Sequence, residues 1–292
     1  MLVMNQNRPG SRKSISVDED TTTLTDVHLL DDYITAKLGG RDITDFSEPF
    51  NIGFDLGGFQ IYANTSTSIP ALRTGTLNTD TKLGILLRVG VGIYGYGGAG
   101  GDGADITSSS ACLIGSPGQP GGDAIYLDHP LTIRVMGEVG GGGGGGGGGA
   151  NALDDSAGLG GSPGGGGGGG RSVEPTSGGS GGCGACTADP CDGPNYVVWC
   201  GPGQDGSTGY SAGAGAGGAA GDDENPTFGH AEGGAGSTGG SWGDAGPSGN
   251  AGVTGNICTG SSSSGGAGGY ALKANGNAYR VYGAGPTYGT IG

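Results

Sequence analysis

The chain has little of what most folds are built from. Only 33% of its 292 residues are hydrophobic and 6% aromatic, too few side chains for a conventional core of that size. Lys and Arg number 12 against 27 Asp and Glu, giving a formal charge of −15. Binding to nucleic acid or to an anionic membrane depends on clustered cations, so neither is expected as a partner. No stretch approaches the roughly 18 apolar residues of a membrane span, which argues against membrane insertion. The opening residues, Met1 to Lys13, lack the apolar run of a secretory signal, so export by that route is not expected. His28, His129 and His230 are isolated from one another and from any nucleophile in a recognisable elbow. Neither a catalytic triad nor a metal cluster can be composed from them. The chain therefore reads as non-enzymatic, without a cofactor or a bound metal.

What it has in abundance is glycine, 77 residues, with 14 Pro. Composition alone would suggest disorder unless a period is present. A period is present: Gly240, Gly243, Gly246, Gly249, Gly252 and Gly255 fall every third residue, as do Gly203, Gly206 and Gly209, Gly233, Gly236 and Gly239, Gly97, Gly100 and Gly103, and Gly115, Gly118 and Gly121. Gly140 to Gly149 and Gly164 to Gly170 are uninterrupted. Period three belongs to an extended left-handed helix with three residues per turn and no internal hydrogen bonds. Laid side by side, such helices can bond to one another through N–H and C=O groups pointing sideways, with glycine allowing the close approach. Collagen would need longer unbroken triplets and more Pro, and a flexible linker would not alternate with strand-like segments. The expected fold class is mainly β with a polyglycine II helix bundle and little or no α-helix.

Along the chain, residues 1–40 read as an arm or docking segment in which Val27 to Ala36 forms a short helix or an edge strand. Residues 41–96 read as a small β-domain, with Ile52, Phe54 and Leu56 alternating and Leu83 to Ile93 rich in β-branched and aliphatic residues. Residues 97–292 read as a glycine-rich domain of polyglycine II helices and β-arcs with loops at its distal end. Three segments repeat one layout, a strand followed by glycines. They are Gly84 to Gly95 leading into Gly97 to Gly103, Gly121 to Val139 leading into the long glycine run, and Gly268 to Gly283 ending at Gly292.

Cys183, Cys186, Cys191 and Cys200 form C-x2-C-x4-C-x8-C. Two disulfides stapling a core-poor loop are favoured there over reduced thiols or a zinc site, since only one CxxC knuckle is present. Cys112 and Cys258 form a further possible pair. Gly97 to Ala104 is similar to one copy of a calcium-binding nonapeptide, but such repeats work by stacking, and solvated loop carboxylates are the simpler reading. Tyr196, Trp199, Tyr210, Phe228 and Trp242, with His230, gather between glycine tracts. Aromatic residues on loops supply contact area at low entropic cost and are candidates for binding, with packing over the glycine bundle the equal alternative.

The coupling of Gly-Gly-x-Ala-Leu, an Asn-Gly arc, a short strand and a glycine run, as in Gly268-Gly269-Tyr270-Ala271-Leu272 followed by Asn275-Gly276-Asn277, resembles the glycine-rich C-terminal modules of tailed-phage tail-tip host-specificity and tail-fibre proteins. The glycine-rich core resembles the polyglycine II adhesins of T-even phage tail fibres. The resemblance covers about residues 70 to 292. It implies a virion tail protein, assembled in the host cytoplasm and exposed outside the cell, that recognises a bacterial surface receptor, either a glycan or an outer-membrane protein. It further implies a homotrimer that contacts other virion tail proteins through its N-terminal part. The alternative is a purely structural virion component, such as a head spike, collar or fibre connector. An ice-binding or cell-wall protein is disfavoured by the irregular residues between the triplet glycines, for example Ser241-Trp242, Asp244-Ala245 and Pro247-Ser248.

Overall fold

A computed structural model of the chain describes residues 13–19, 24–41, 50–57, 60–77, 80–105, 113–154, 160–182, 203–220, 233–253 and 258–292. The chain divides into two compact units, one of residues 1–96, 123–141 and 270–292, the other of residues 97–122 and 142–269.

The first unit is a three-faced parallel β-solenoid of five coils. Coil one contains β1 (Lys13–Glu19), β2 (Leu24–Thr25) and β3 (Val27–His28), and coil two β4 (Phe50–Leu56), β5 (Gln60–Tyr62) and β6 (Leu72–Arg73). Coil three contains β7 (Lys82–Leu87), β8 (Gly92–Tyr94) and β9 (Ile125–Tyr126). Coil four contains β10 (Leu131–Val135), β11 (Glu138–Gly140) and, after a long excursion, β15 (Leu272–Lys273). Coil five contains β16 (Tyr279–Tyr282) and β17 (Thr287–Tyr288), and Ile291 bridges Leu272 on its third face. The strands of each face pair in parallel with their counterparts one coil away. The chain leaves for the second unit twice, each time between the second and third faces.

Alternation explains the solenoid core. In β4, Phe50, Ile52, Phe54 and Leu56 are buried while the residues between them are not. Parallel register then stacks Ile52, Leu83 and Leu131, Phe54, Ile85 and Ile133, and Leu56, Leu87 and Val135 into internal ladders. Burial of each such side chain contributes about 1.5–3 kcal/mol. The segment expected to be a helix or a strand is both: β3 leads into the helical turns Leu29–Ile34 and Thr35–Lys37, where Leu29 and Ile34 join the core. Tyr33 meets Phe54 edge to face at 6.2 Å.

Outside the core, two bidentate ion pairs tie neighbouring coils. Arg73 donates to Asp128 at 2.6 and 2.9 Å, and Arg88 to Asp55 at 2.7 and 2.5 Å. The Arg88 hydrogen bond holds the Asp55 carboxyl below its ordinary range, and the Arg73 hydrogen bond does the same for Asp128, in both cases against the opposing effect of burial.

The second unit is organised by a different rule. Its described residues run as ten segments: 97–105, 113–122, 142–151, 163–171, 176–182, 203–210, 213–220, 233–241, 243–253 and 260–269. Most of their length has no strand pairing, and the backbone bonds instead follow a threefold rotation. From Gly142 to Ala150 each N–H donates in turn to 113–122, to 163–171 and to 243–253, nine bonds in succession at 2.8–3.1 Å. The carbonyls of the same stretch accept from three other segments, 97–105, 233–241 and 260–269, with Gly148 accepting from the Ser263 hydroxyl. Segment 142–151 is thus enclosed by six neighbours. Segment 163–171 is enclosed likewise, donating in rotation to 97–105, 233–241 and 203–210 and accepting from 142–151, 176–182 and 213–220.

This arrangement accounts for the glycine pattern. A Cβ on any residue from Gly143 to Gly149, or from Gly164 to Gly170, would fall within 2.6 Å of a neighbouring carbonyl oxygen. Only uninterrupted glycine can occupy the two enclosed positions. Segments 97–105 and 233–241, bonded to both enclosed segments and to two others, keep small residues at two positions in three. Segment 113–122 buries Gly115 and Gly118 and exposes Ser116, Pro117, Gln119 and Pro120. On such outer segments, side chains serve outward N–H groups: Asp102 accepts from Ser180 and Asp205 from Gly181, both at 2.8 Å.

Two outcomes are expected. Gly146→Ala would set a methyl 2.2 Å from the Ser237 carbonyl oxygen, and overpacking against backbone should cost at least about 1–3 kcal/mol. Exposed Gln119→Ala should stay within about 0.5 kcal/mol. Thermal denaturation of the two variants checks this difference. Because the carboxyls of Asp55 and Asp128 are held low in the folded state, their contribution is complete above the ordinary carboxylate range and is lost as pH falls through the folded-state values. A melting-temperature profile from pH 6 to about pH 3 should therefore fall less steeply for Asp55→Asn/Asp128→Asn than for the unmodified chain.

Candidate functional site

Bond polarity fixes the direction of every glycine segment. Segments 97–105 and 243–253 run parallel to 142–151, while 113–122, 163–171, 233–241 and 260–269 run antiparallel to it. Segment 176–182 follows 97–105, 203–210 opposes 176–182, and 213–220 opposes 203–210. It follows that five connections depart from one end of the unit, the end marked by Ala150. Their described flanks are Asp105 and Leu113, Asp154 and Gly160, Gly182 and Gly203, Ala220 and Gly233, and Val253 and Cys258. The opposite end has the short links 172–175, 211–212 and the turn at Trp242, together with the four points where the chain enters or leaves the unit, Gly97, Gly122, Gly142 and Gly269.

The Ala150 end is built to hold those flanks. Segment 142–151 passes into β12 (Ala152–Asp154), which pairs antiparallel with β13 (Gly160–Ser162) and β14 (Cys258–Thr259). Where the glycine run stops, Asn151 is fully buried. Its side-chain Nδ2 donates to the Asp105 carbonyl at 2.9 Å and its Oδ1 accepts from the Leu113 N–H at 2.8 Å. One amide therefore spans the two ends of the connection 106–112. Its own carbonyl accepts from Gly260 at 3.1 Å, adding a third flank. Sequence reasoning passed over Asn151. The signal was available: it is the first residue with a polar side chain after an unbroken glycine run that admits no side chain at all.

The residues singled out from the sequence are distributed unevenly. Tyr196, Trp199, Phe228, His230, Cys183, Cys186, Cys191 and Cys200 lie outside the described residues, as does Cys112. Tyr210 is 51% exposed at the end opposite Ala150, in a turn where its N–H donates to Gly213 at 2.8 Å. Trp242 lies at that same end and is buried, with the Arg171 guanidinium 5.2 Å above its ring. Arg171 also donates from Nε and Nη2 to the Ser211 carbonyl, at 3.1 and 2.9 Å. This cation–aromatic stack joins three of the links that close the end. Asp102, part of the calcium-like stretch, is used by backbone, and among the described residues no three metal-ligating side chains converge.

The comparisons with known proteins follow this geometry. No curated protein matches the chain. The crystal structure of the gp37–gp38 adhesin tip complex of the bacteriophage S16 long tail fiber is similar over 97% of this chain and 84% of that chain, with 20% identity and a TM-score of 0.49. The family model of the phage tail fibre adhesin Gp38 matches residues 25–292. By that match, which takes in both the solenoid and the glycine-rich unit, the chain belongs to the phage tail fibre adhesin Gp38 family.

Proposed function

We propose that this adhesin recognises its receptor at the Ala150 end of the glycine unit. The observation that carries the reading is the convergence of the flanks of five connections at one end, while the links at the other end are short and locked by Arg171 and Trp242. Binding residues are disproportionately found on loops held by a rigid scaffold. By sequence, the connections 183–202 and 221–232 contain Tyr196, Trp199, Phe228 and His230, the residue types suited to contact at low entropic cost. The lattice of backbone bonds fixes the positions of the flanks, so sequence can vary between them without disturbing the packing beneath. In this reading the chain acts by binding, without catalysis, as part of the virion tail, and the solenoid unit serves attachment to another tail-fibre protein.

Replacing residues 183–202 and 221–232 with Gly-Ser linkers of equal length should reduce phage adsorption at least tenfold while particles still carry the adhesin. Unchanged adsorption by such particles would leave the structural-component reading in place. Asn151→Leu removes the amide that holds two flanks and breaks its two partly buried hydrogen bonds to Asp105 and Leu113, a loss of about 1–3 kcal/mol. Adsorption measured well below the melting temperature should fall for this variant, and hydrogen exchange should quicken first at the Leu113 amide, whose N–H loses its acceptor. An exchange pattern like that of the unmodified chain would contradict the role given to Asn151.

A further inference from the structure

Cations are scarce in this chain, and most of those described are engaged. Arg73 pairs with Asp128, Arg88 with Asp55 and Lys273 with Asp123, while Arg171 stacks on Trp242. Lys82, Arg134 and Arg280 differ: each is exposed, and among the described residues no carboxylate pairs with them. All three belong to the first sheet of the solenoid, on strands β7, β10 and β16 in successive coils. Alternation places them on the same outward side. Thr132 and Arg134 are exposed between the buried Leu131, Ile133 and Val135, and the register sets Thr132 beside Arg280 and Arg134 beside Tyr282. With strands about 4.8 Å apart and same-side residues about 6.6 Å apart along a strand, the backbone positions of the three cations fall within roughly 14 Å of one another.

Other features mark the same place. A groove of about 550 Å³ is lined by Asp80, Lys82, Thr132, Tyr279 and Arg280 among others. Tyr279 and Tyr282 are 42% and 47% exposed, and the Arg280 guanidinium lies 5.5 Å above the Tyr282 ring. Exposed Tyr and Arg side by side are the composition of binding hot spots. Among the described residues β16 ends its sheet and pairs on one side only, so its other edge suits an added strand. In a chain of charge −15 this face is a local exception that would attract negative charge, while most of the surface repels it.

We propose that the outer face of β7, β10 and β16 is a docking surface for an extended, carboxylate-bearing segment of another tail-fibre protein, which enters at the edge of β16 and crosses the groove with its acidic side chains on Arg280, Arg134 and Lys82. This rests on the reading of the solenoid as the attachment unit and adds where, and by what chemistry, attachment occurs.

The test uses the full chain and a fluorescein-labelled peptide of alternating Glu and Val, with a Lys-Val peptide as control. Anisotropy should show binding of the Glu peptide only, weakening at least tenfold between about 50 and 500 mM salt as screening shortens to a few ångström. The triple reversal Lys82→Glu/Arg134→Glu/Arg280→Glu should abolish it with the melting temperature unchanged, since all three side chains are exposed. In particles, the same reversal should deplete the adhesin, whereas the linker variant described above should still be incorporated. Absence of Glu-peptide binding, equal binding of the Lys peptide, or full binding and incorporation by the reversal variant would each overturn the proposal. None of those results bears on the receptor end, which the adsorption of linker variants decides separately.

Discussion

Every enclosed peptide group of the glycine unit finds its partner on another segment, its N–H and C=O groups turning through three directions in succession. The rest of that unit depends on this constraint. For 142–151 the solution is six neighbours, three receiving N–H bonds and three giving them, and for 163–171 it is the same. Two adjacent enclosed segments share two neighbours, 97–105 and 233–241, and the ten segments are thereby accounted for. Bonds of this kind are worth only about 0.5–1.5 kcal/mol each, but a buried one left unmade costs about 1–3 kcal/mol. A methyl group anywhere on Gly143–Gly149 or Gly164–Gly170 would separate several pairs together, so glycine is retained there despite the backbone entropy it loses on folding.

The solenoid shows how a chain so poor in apolar residues also supports a conventional core. Its hydrophobic residues are concentrated in short strands at matching registers, so that Phe54, Ile85 and Ile133, from three coils, stack as one ladder. Both departures to the glycine unit occur between the second and third faces, in coils three and four. Coils one and two cross the same position with short connections, the second with residues 63–71. The glycine unit is therefore a pair of insertions into a repeating coil, and the solenoid's strands come from three separated stretches of sequence.

Much of this was legible beforehand. Mainly β character with almost no helix follows from alternation in Phe50 to Leu56 and Leu131 to Val135, and from a composition that gives no helical period. The triplet register signalled segments bonded sideways, and the two unbroken runs, Gly140 to Gly149 and Gly164 to Gly170, turned out to be the most enclosed. Other features could not be read. Pairing of β10 with β7 and β16 joins residues up to about 150 apart, and no local signal encodes that partnership. The convergence of the connections at one end follows from segment direction, which period three does not specify. Trp242 illustrates the limit for single residues: an aromatic between glycine tracts suits a binding loop or a closed turn equally, and its place beneath Arg171 follows from where the chain reverses.

The proposed receptor end rests on a base whose flanks are held by the bonded glycine segments. Glycine fixes the base chiefly through backbone bonds, and Asn151 holds the two flanks of one connection. The central claim is that the enclosed glycines form the rigid interior of the unit. Amide hydrogen exchange tests it most directly. The account predicts that peptides spanning 142–150 and 164–171 exchange as slowly as those from β7 and β10, with the outer segment 113–122 faster. Rapid exchange along either glycine run would contradict it.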